Sequence, residues 1–262
     1  MQACEAHGLH DGGRVTEPPE KGASDLPPDD ARYAAYSDQL NSALGRFAGE
    51  HDRYLRLKVR HVERIVTANL GPPSGLSVLE FGCGIGLMAR HLVSRFADYT
   101  GIDVDPLLTD EARRTLPGAR FLTYEGDTLP MDRATHDVAV AVNVFHHIPV
   151  AKRRQALTEL ARVLRPGGLC IIAEHNPANP LTRWVVSRCA FDFDAVLLSP
   201  RESAALLEGA GLAVVDRRYV VFTPVDGARA VRLEKRFGRL PLGAQHIVTG
   251  RRPGSSPGAS AR

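Results

Sequence analysis

The sequence has few of the residues that mark several protein classes. Its 262 residues include only four cysteines, three methionines and one tryptophan. The cysteines form no Cys-x-x-Cys pair and follow no regular spacing, so they indicate neither a disulfide framework nor a zinc ribbon. We therefore expect the protein to work in a reducing compartment.

The sequence also lacks an excess of charge of one sign and long apolar runs. Lys and Arg total 33 against 30 Asp and Glu, and the net charge of +3 is too small to indicate nucleic acid or an anionic membrane as the main partner. No run of 18 consecutive apolar residues occurs, and the N-terminal stretch has no apolar segment of secretory type. We expect a cytoplasmic protein that acts on a small molecule. The sequence gives no indication of its oligomeric state.

The composition divides the chain into one domain and two tails. Residues 1–29 are rich in Gly, Pro and charge, and residues 251–262 are almost entirely Arg, Gly, Ser, Pro and Ala. Because neither segment can bury enough apolar surface to offset the entropy of ordering, we predict both to be disordered. Residues 30–250 are predicted to form a single domain, and apolar residues at helical spacing predict a helical cap over 30–70.

After the cap, short apolar runs alternate with amphipathic segments. The runs, each of strand length, are Ser77–Phe81, Tyr99–Asp103, Ala119–Tyr124, Asp137–Val144 and Leu169–Ala173. Helical patterns cover Gly86–Phe96, Pro106–Thr115, Ala151–Leu164 and Pro200–Gly209. Two further strand-like runs, Ala213–Phe222 and Ala244–Thr249, surround a charged helical stretch. This order predicts an α/β fold, a doubly wound, mostly parallel seven-stranded sheet of Rossmann-like type whose last two strands are antiparallel.

A glycine-rich loop follows the first predicted strand. Gly82, Gly84 and Gly86 occupy alternate positions just before a predicted helix. Glycines allow a ligand to approach the backbone closely, and a helix N-terminus favours an anionic group. The overlapping string from Gly84 to Ala89 also fits the G-x-G-x-x-A dinucleotide pattern, so the loop alone leaves a dinucleotide among the candidate ligands. A tight turn without any ligand is the structural alternative.

Two carboxylates follow the next strands. Asp103 ends the second predicted strand, where a carboxylate can accept hydrogen bonds from ribose hydroxyls. Asp127 follows the third strand and could accept from an adenine amino group, although an ordinary turn residue is an alternative interpretation.

From Val78 to about Ala173 the chain resembles the class I S-adenosylmethionine-dependent methyltransferases. The matching segments are VLEFGCGIG, TGIDVD, EGD, DVAVAVNVFHHIP and ALTELARVLRPGGLCIIAE, in that order. Phe81 is a departure, since a smaller apolar residue is common there. The resemblance implies S-adenosylmethionine as the cofactor. The cofactor-binding residues that it implies are Glu80, Gly82, Cys83, Gly84 and Gly86 for the methionine end, Asp103 and Val104 for the ribose, Asp127 and Thr128 for the adenine, and Asn143 and Val144 packed on the cofactor.

The candidate catalytic residues follow the fourth and fifth strands. Methyl transfer needs alignment, and a base when the acceptor is a hydroxyl. A similar His-His-hydrophobic-Pro string, with a carboxylate after strand five, occurs in sugar O-methyltransferases of natural-product pathways. That resemblance implies that His146 or His147 takes the proton and that Glu174 orients it. We favour His146, because His147 adjoins an apolar turn. Neighbouring side chains in an extended segment point in opposite directions, so we expect one of the two histidines to be structural.

The polar loop after strand five supplies candidate substrate-binding residues, which are His175, Asn176, Arg183 and Trp184. A metal site built from His146, His147 and His175 is disfavoured because no acidic cluster or i, i+4 spacing accompanies them, and we predict no metal.

The sequence thus predicts an enzyme that methylates a small polar acceptor, at a hydroxyl of a natural-product or saccharide-type substrate. Three alternatives stay open. They are an N- or carboxyl-methyltransferase, an NAD-dependent oxidoreductase that uses the same glycine loop, and a cofactor-binding scaffold without an acceptor site.

Overall fold

The computed structural model describes residues 52–254, except 126, 190–191, 193–194, 223–231, 233 and 235. The predicted N-terminal tail, the first part of the predicted cap, residues 255–262 and most of the charged helical stretch lie outside the described residues. The helices are α1 (52–70), α2 (Ala89–Leu92), α3 (Pro106–Thr115), α4 (Val150–Val163), α5 (Pro180–Val186) and α6 (Pro200–Gly209), with a 3-10 turn at Pro73–Gly75. Within the described part of the chain, none of the helices is long and apolar enough to span a bilayer.

The strands form one seven-stranded sheet. They are β1 (Ser77–Phe81), β2 (Asp98–Asp103), β3 (Arg120–Thr123), β4 (His136–Val142), β5 (Leu164–His175), β6 (Ala213–Val220) and β7 (Gln245–Arg251). Their order in the sheet is β3-β2-β1-β4-β5-β7-β6, and β7 is antiparallel to both of its neighbours. The predicted doubly wound α/β sheet with an antiparallel last pair is therefore confirmed. β7 ends one residue beyond the predicted domain boundary.

Helices cover both faces of the sheet. Val59, Val62, Ile65 and Val66 form the buried stripe of α1, and they pack in one apolar core with residues of α2 and α3. The other face carries a second core that includes α4 and α6. Fully burying each aliphatic side chain of this kind contributes roughly 1.5–3 kcal/mol before the cost of ordering the chain, so the two cores hold the sheet rigid between layers of helix.

The first helix after β1 is much shorter than predicted. The pattern predicts a helix over 86–96, but only Ala89–Leu92 is α-helical, with turns on both sides. Gly84 and Gly86 have φ angles of +51° and +78°, which an α-helix does not accommodate, so the helix begins only after the loop. The buried Met88 and Phe96 still follow helical spacing, which explains why the pattern suggested a longer helix.

The strand order reverses between β1 and β4, because β1 pairs with β2 on one side and with β4 on the other. In open parallel sheets a crevice forms at the carboxyl ends of the strands where the order reverses. This edge of the sheet is where a ligand site is expected.

Candidate active site

A cleft of about 640 Å³ opens at this edge of the sheet. The predicted cofactor residues that line it are Gly82, Gly84, Asp103, Val104, Asp127, Asn143 and Val144. The predicted cofactor residues outside its lining are Glu80, Cys83, Gly86 and Thr128. Most of the cofactor site implied by the resemblance is therefore brought together in one cavity.

Two glycines of the loop have different roles. Gly82 has a φ of +75°, and a Cβ built on it would lie 2.5 Å from Cγ2 of Val144, so glycine is required by the close approach of the loop to the end of β4. A Cβ on Gly84 would meet no described atom within 4 Å. The backbone at Gly84 therefore faces open space in the cleft, which leaves room for a ligand.

Asp103 is fixed at the bottom of this loop. Its Oδ2 accepts from the backbone N–H of Gly84 at 2.8 Å, and its Oδ1 accepts from that of Asp105 at 3.1 Å. Burial raises the pKa of Asp103, and these backbone donors oppose that rise. A carboxylate has about four acceptor sites, so this one keeps the capacity to accept from a pair of hydroxyls.

The far end of the cleft is closed by the turn after β3 and by α4. Nζ of Lys152 lies 3.5 Å from Oδ1 of Asp127, and the side chain of Gln155 donates to the carbonyl of Asp127 at 3.3 Å. Leu129 and Ile148 add apolar surface to the lining. Open glycine backbone, a fixed carboxylate and an apolar floor fit the methionine, ribose and adenine parts of S-adenosylmethionine.

Glu80 lies beneath the loop. The hydroxyl of Tyr99 donates to Oε2 of Glu80 at 2.5 Å, and both side chains are buried. Burial raises the pKa of Glu80 to about 8, against the effect of the Tyr99 hydrogen bond, and the charge of Asp103 adds to the rise. Glu80 is thus a buried residue of β1 that is hydrogen-bonded to Tyr99 of β2.

The two adjacent histidines lie in different surroundings. His146 is 1% exposed, with Nδ1 2.5 Å from Oε2 of Glu174 and Nε2 3.2 Å from Oδ1 of Asp192. Burial lowers its pKa, but the hydrogen bonds with Asp192 and Glu174 outweigh burial and raise it to about 9. The side chain of His147 is 39% exposed and lines the cleft. Our preference for His146 as the base therefore needs correction, because both of its ring nitrogens are engaged inside the protein.

Glu174 holds the segment that carries these histidines. Its Oε1 accepts from the backbone N–H groups of Val144 and Phe145, at 3.0 and 2.7 Å. The carboxylate is fully buried, and burial raises its pKa while its bond with His146 lowers it, with a net lowering. Glu174 therefore orients His146 and the end of β4, and the imidazole that it contacts is the buried one.

Asp192 is a site residue that sequence reasoning missed. Its Oδ1 lies 3.5 Å from Nε2 of His147 and 3.2 Å from Nε2 of His146, so it joins both histidines. The short stretch Phe191–Asp194, with two acidic residues after the proline-rich loop, was the available signal, but nothing in its spacing relates it to strand four.

Two further ionisable side chains, Lys58 of α1 and His175, interact electrostatically with Glu174 and Asp192. Burial lowers the pKa of Lys58 to about 8, and the charges of Glu174 and Asp192 oppose that shift. Burial, together with Lys58 and His146, lowers the pKa of His175 to about 4, so its imidazole is neutral near pH 7. We call His146, His147, Glu174, His175 and Asp192 the histidine cluster.

The other predicted substrate-binding residues, Asn176, Arg183 and Trp184, do not line the cleft. The buried amide of Asn176 donates to the carbonyls of Pro241 and Gly243, at 3.1 and 2.7 Å, and accepts from the N–H of Ala178, so it braces two loops. Arg183 and Trp184 lie exposed on α5, outside the lining of the cleft.

The sequence is similar to those of known proteins. Residues 78–168 match the family model described as a methyltransferase domain. The chain is 36% identical over 156 residues to phthiotriol/phenolphthiotriol dimycocerosates methyltransferase of Mycobacterium leprae, covering 58% of this chain and 56% of that protein. It is 30% identical over 180 residues to fatty-acid O-methyltransferase of Mycolicibacterium smegmatis, covering 67% and 64%. The chain thus spans less than two thirds of either relative.

Among solved structures, a TehB-like S-adenosylmethionine-dependent methyltransferase from Corynebacterium glutamicum matches with a TM-score of 0.55 and 18% identity, over 86% of this chain and all of that one. This likeness concerns the fold. Residues 78–168 match a methyltransferase domain, and the ordered motifs around the cleft resemble those of the class I S-adenosylmethionine-dependent methyltransferases.

Proposed function

We propose that this chain transfers a methyl group from S-adenosylmethionine to an oxygen atom of a small molecule, with His147 beside the acceptor. The observation that carries the proposal is that one cleft is lined both by the predicted cofactor residues Gly84 and Asp103 and by the imidazole of His147. The domain match favours this cofactor over the dinucleotide that the glycine loop alone left open.

S-adenosylmethionine, when bound, supplies a methyl group on a sulfonium sulfur that is open to in-line attack. The chain contributes alignment through the backbone at Gly82 and Gly84 and through the carboxylate of Asp103. When the acceptor is a hydroxyl, its proton passes to His147 as the new O–C bond forms and the S–C bond breaks. Asp192, whose Oδ1 is 3.5 Å from Nε2 of His147, would stabilise the resulting imidazolium.

The names of the two curated relatives support a lipid-type acceptor, either a hydroxylated lipid or a fatty acid. A hydroxyl of a saccharide or natural product, which the sequence motifs favour, is the second class to test. The two chemistries make different demands on the protein. A carboxylate acceptor has already lost its proton near pH 7, whereas a hydroxyl needs a base.

The test is methyl transfer by the full chain to a panel of fatty acids, hydroxylated lipids and glycosides, detected by the product mass. His147→Ala should lower kcat about 10²- to 10⁴-fold on a hydroxyl acceptor and leave the affinity for S-adenosylhomocysteine unchanged. The matched control is His91→Ala, which removes a histidine of α2 outside the lining of the cleft.

An unchanged kcat of His147→Ala on a hydroxyl acceptor would contradict the base role of His147. Methylated product from the fatty acids alone would favour a carboxylate acceptor that needs alignment only. Binding of S-adenosylhomocysteine without a methylated product from any member of the panel would favour the scaffold alternative.

A further inference from the structure

Three side chains of the histidine cluster that can bind metal ions lie close together. His146, His175 and Asp192 each offer one nitrogen or oxygen atom, and these atoms all lie within 4.8 Å of one another. Nε2 of His146 and Oδ1 of Asp192 are 3.2 Å apart. Ligand atoms bound at 2.0–2.2 Å to one ion lie roughly 3 Å from each other, so the pair already has the separation of two ligands of one shell.

Glu174 gives His146 the orientation of a metal ligand. Its Oε2 faces Nδ1 of the imidazole at 2.5 Å, which directs Nε2 toward Asp192. Histidines that bind metals almost always give their other ring N–H to a carboxylate or carbonyl group. Because Glu174 is itself held by two backbone N–H groups after β4, this orientation is built into the fold.

We propose that His146, His175 and Asp192 form a binding site for one divalent transition-metal ion of the zinc or ferrous iron type. Two imidazoles and one carboxylate suit such ions, whereas magnesium and calcium prefer oxygen ligands alone. Three protein ligands leave coordination positions open. His147 lines the cofactor cleft and lies 3.5 Å from Oδ1 of Asp192, so an acceptor held against His147 would lie next to the ion. A part of the ion in methyl transfer rests on the proposed function, while the ion site itself does not.

The competing arrangement is a closed hydrogen-bond network without an ion. In that network His146 carries protons on both ring nitrogens, and Lys58 balances the second carboxylate. The ion would instead take the place of the proton between His146 and Asp192. The two arrangements make opposite predictions for metal binding.

The experiment titrates the full, tag-free chain with Zn²⁺ after treatment with a chelator, and uses Co²⁺ as a spectroscopic probe. We expect one ion per chain. His175→Ala and Asp192→Ala should each lower the affinity at least tenfold, and Glu174→Gln should lower it about 10- to 100-fold. His91→Ala is the matched histidine control.

Circular dichroism and S-adenosylhomocysteine binding establish that each variant is folded, and Asp192→Asn serves as a milder substitute for Asp192→Ala. Absence of a bound ion in the unaltered chain would overturn the site, as would binding that survives the double change of His175 and Asp192. A bound ion without methyl transfer would support the site and count against the proposed function. Methyl transfer that is equally fast with and without the ion would support the proposed function and overturn a part of the ion in it, whereas the ion site itself depends on the binding measurements.

Discussion

Oε2 of Glu174 and Nδ1 of His146 lie 2.5 Å apart, which joins the carboxyl ends of two neighbouring strands through a buried carboxylate–imidazole pair. Because Glu174 also accepts two backbone N–H groups of the segment after β4, it fixes the path of the chain just before His147. His146 is thereby directed inward and His147 toward the cofactor cleft. The expected opposite orientation of the two side chains is wrong, because both residues lie in a turn and their ring centroids are 4.1 Å apart. That one of them is structural stays a prediction.

The two loop glycines should respond differently to the same substitution. Each has a positive φ, so Ala at either position costs roughly 1–2 kcal/mol of backbone strain. Gly82→Ala also collides with Val144, whereas Gly84→Ala points into open space in the cleft. We expect a clearly lower melting temperature for Gly82→Ala than for Gly84→Ala, and weak S-adenosylhomocysteine binding in the latter. Equal melting temperatures, or full affinity in Gly84→Ala, would argue against this description of the loop.

Glu80 should make stability depend on pH. The folded state holds its proton up to a pKa of about 8, whereas in the unfolded chain this carboxyl ionises near 4.5. Between these values the folded state binds the extra proton, so the free energy of unfolding falls as pH rises. Glu80→Gln should make this decline shallower, because glutamine can still accept from Tyr99 and carries no charge, while His146, whose pKa is raised from 6.5 to about 9, keeps its own contribution.

Denaturant unfolding between pH 5 and about 8 measures the Glu80 effect. Glu208→Gln, at an exposed position of α6, is the matched control and should keep the decline. A decline of equal slope in Glu80→Gln would assign the pH dependence to other groups.

Replacing Asn176 should lower the stability of the protein without changing the affinity for the cofactor. Asn176→Ala leaves the carbonyls of Pro241 and Gly243 without their donor, which should lower the free energy of unfolding by about 1–3 kcal/mol. S-adenosylhomocysteine affinity, measured by calorimetry, should not change, because Asn176 lies outside the cleft lining. Thr158→Ala, at an exposed position of α4, provides the control. Unchanged stability together with a raised KM for the acceptor would restore the substrate role first assigned to Asn176.

Elements that bury a regular apolar face could be predicted closely from the sequence. β1, α3 and α6 have the predicted bounds, because burial periodicity and a proline or glycine at a boundary determine each of them. α2 could not be predicted in this way, since the positive φ angles before it depend on how the loop passes Val144.

The candidate site, like the secondary structure, could be predicted from the sequence only in part. The glycine loop and Asp103 follow strands directly, so their meeting at one edge of the sheet follows from the topology. The choice between His146 and His147 depends on Glu174 and Asp192, which are 28 and 46 residues from His146. Local pattern does not encode contacts at that distance, and the bracing role of Asn176 escaped prediction for the same reason.

The measurement that tests the central claim most directly is calorimetric titration of the full chain with S-adenosylhomocysteine and, separately, with NAD. A cleft whose glycine loop, Asp103 and Asp127 hold the methionine, ribose and adenine parts should bind S-adenosylhomocysteine with one site per chain. It should show no saturable heat with NAD at the same concentrations. Saturable binding of NAD together with no binding of S-adenosylhomocysteine would contradict the assignment of the cleft and, with it, the proposed methyl transfer.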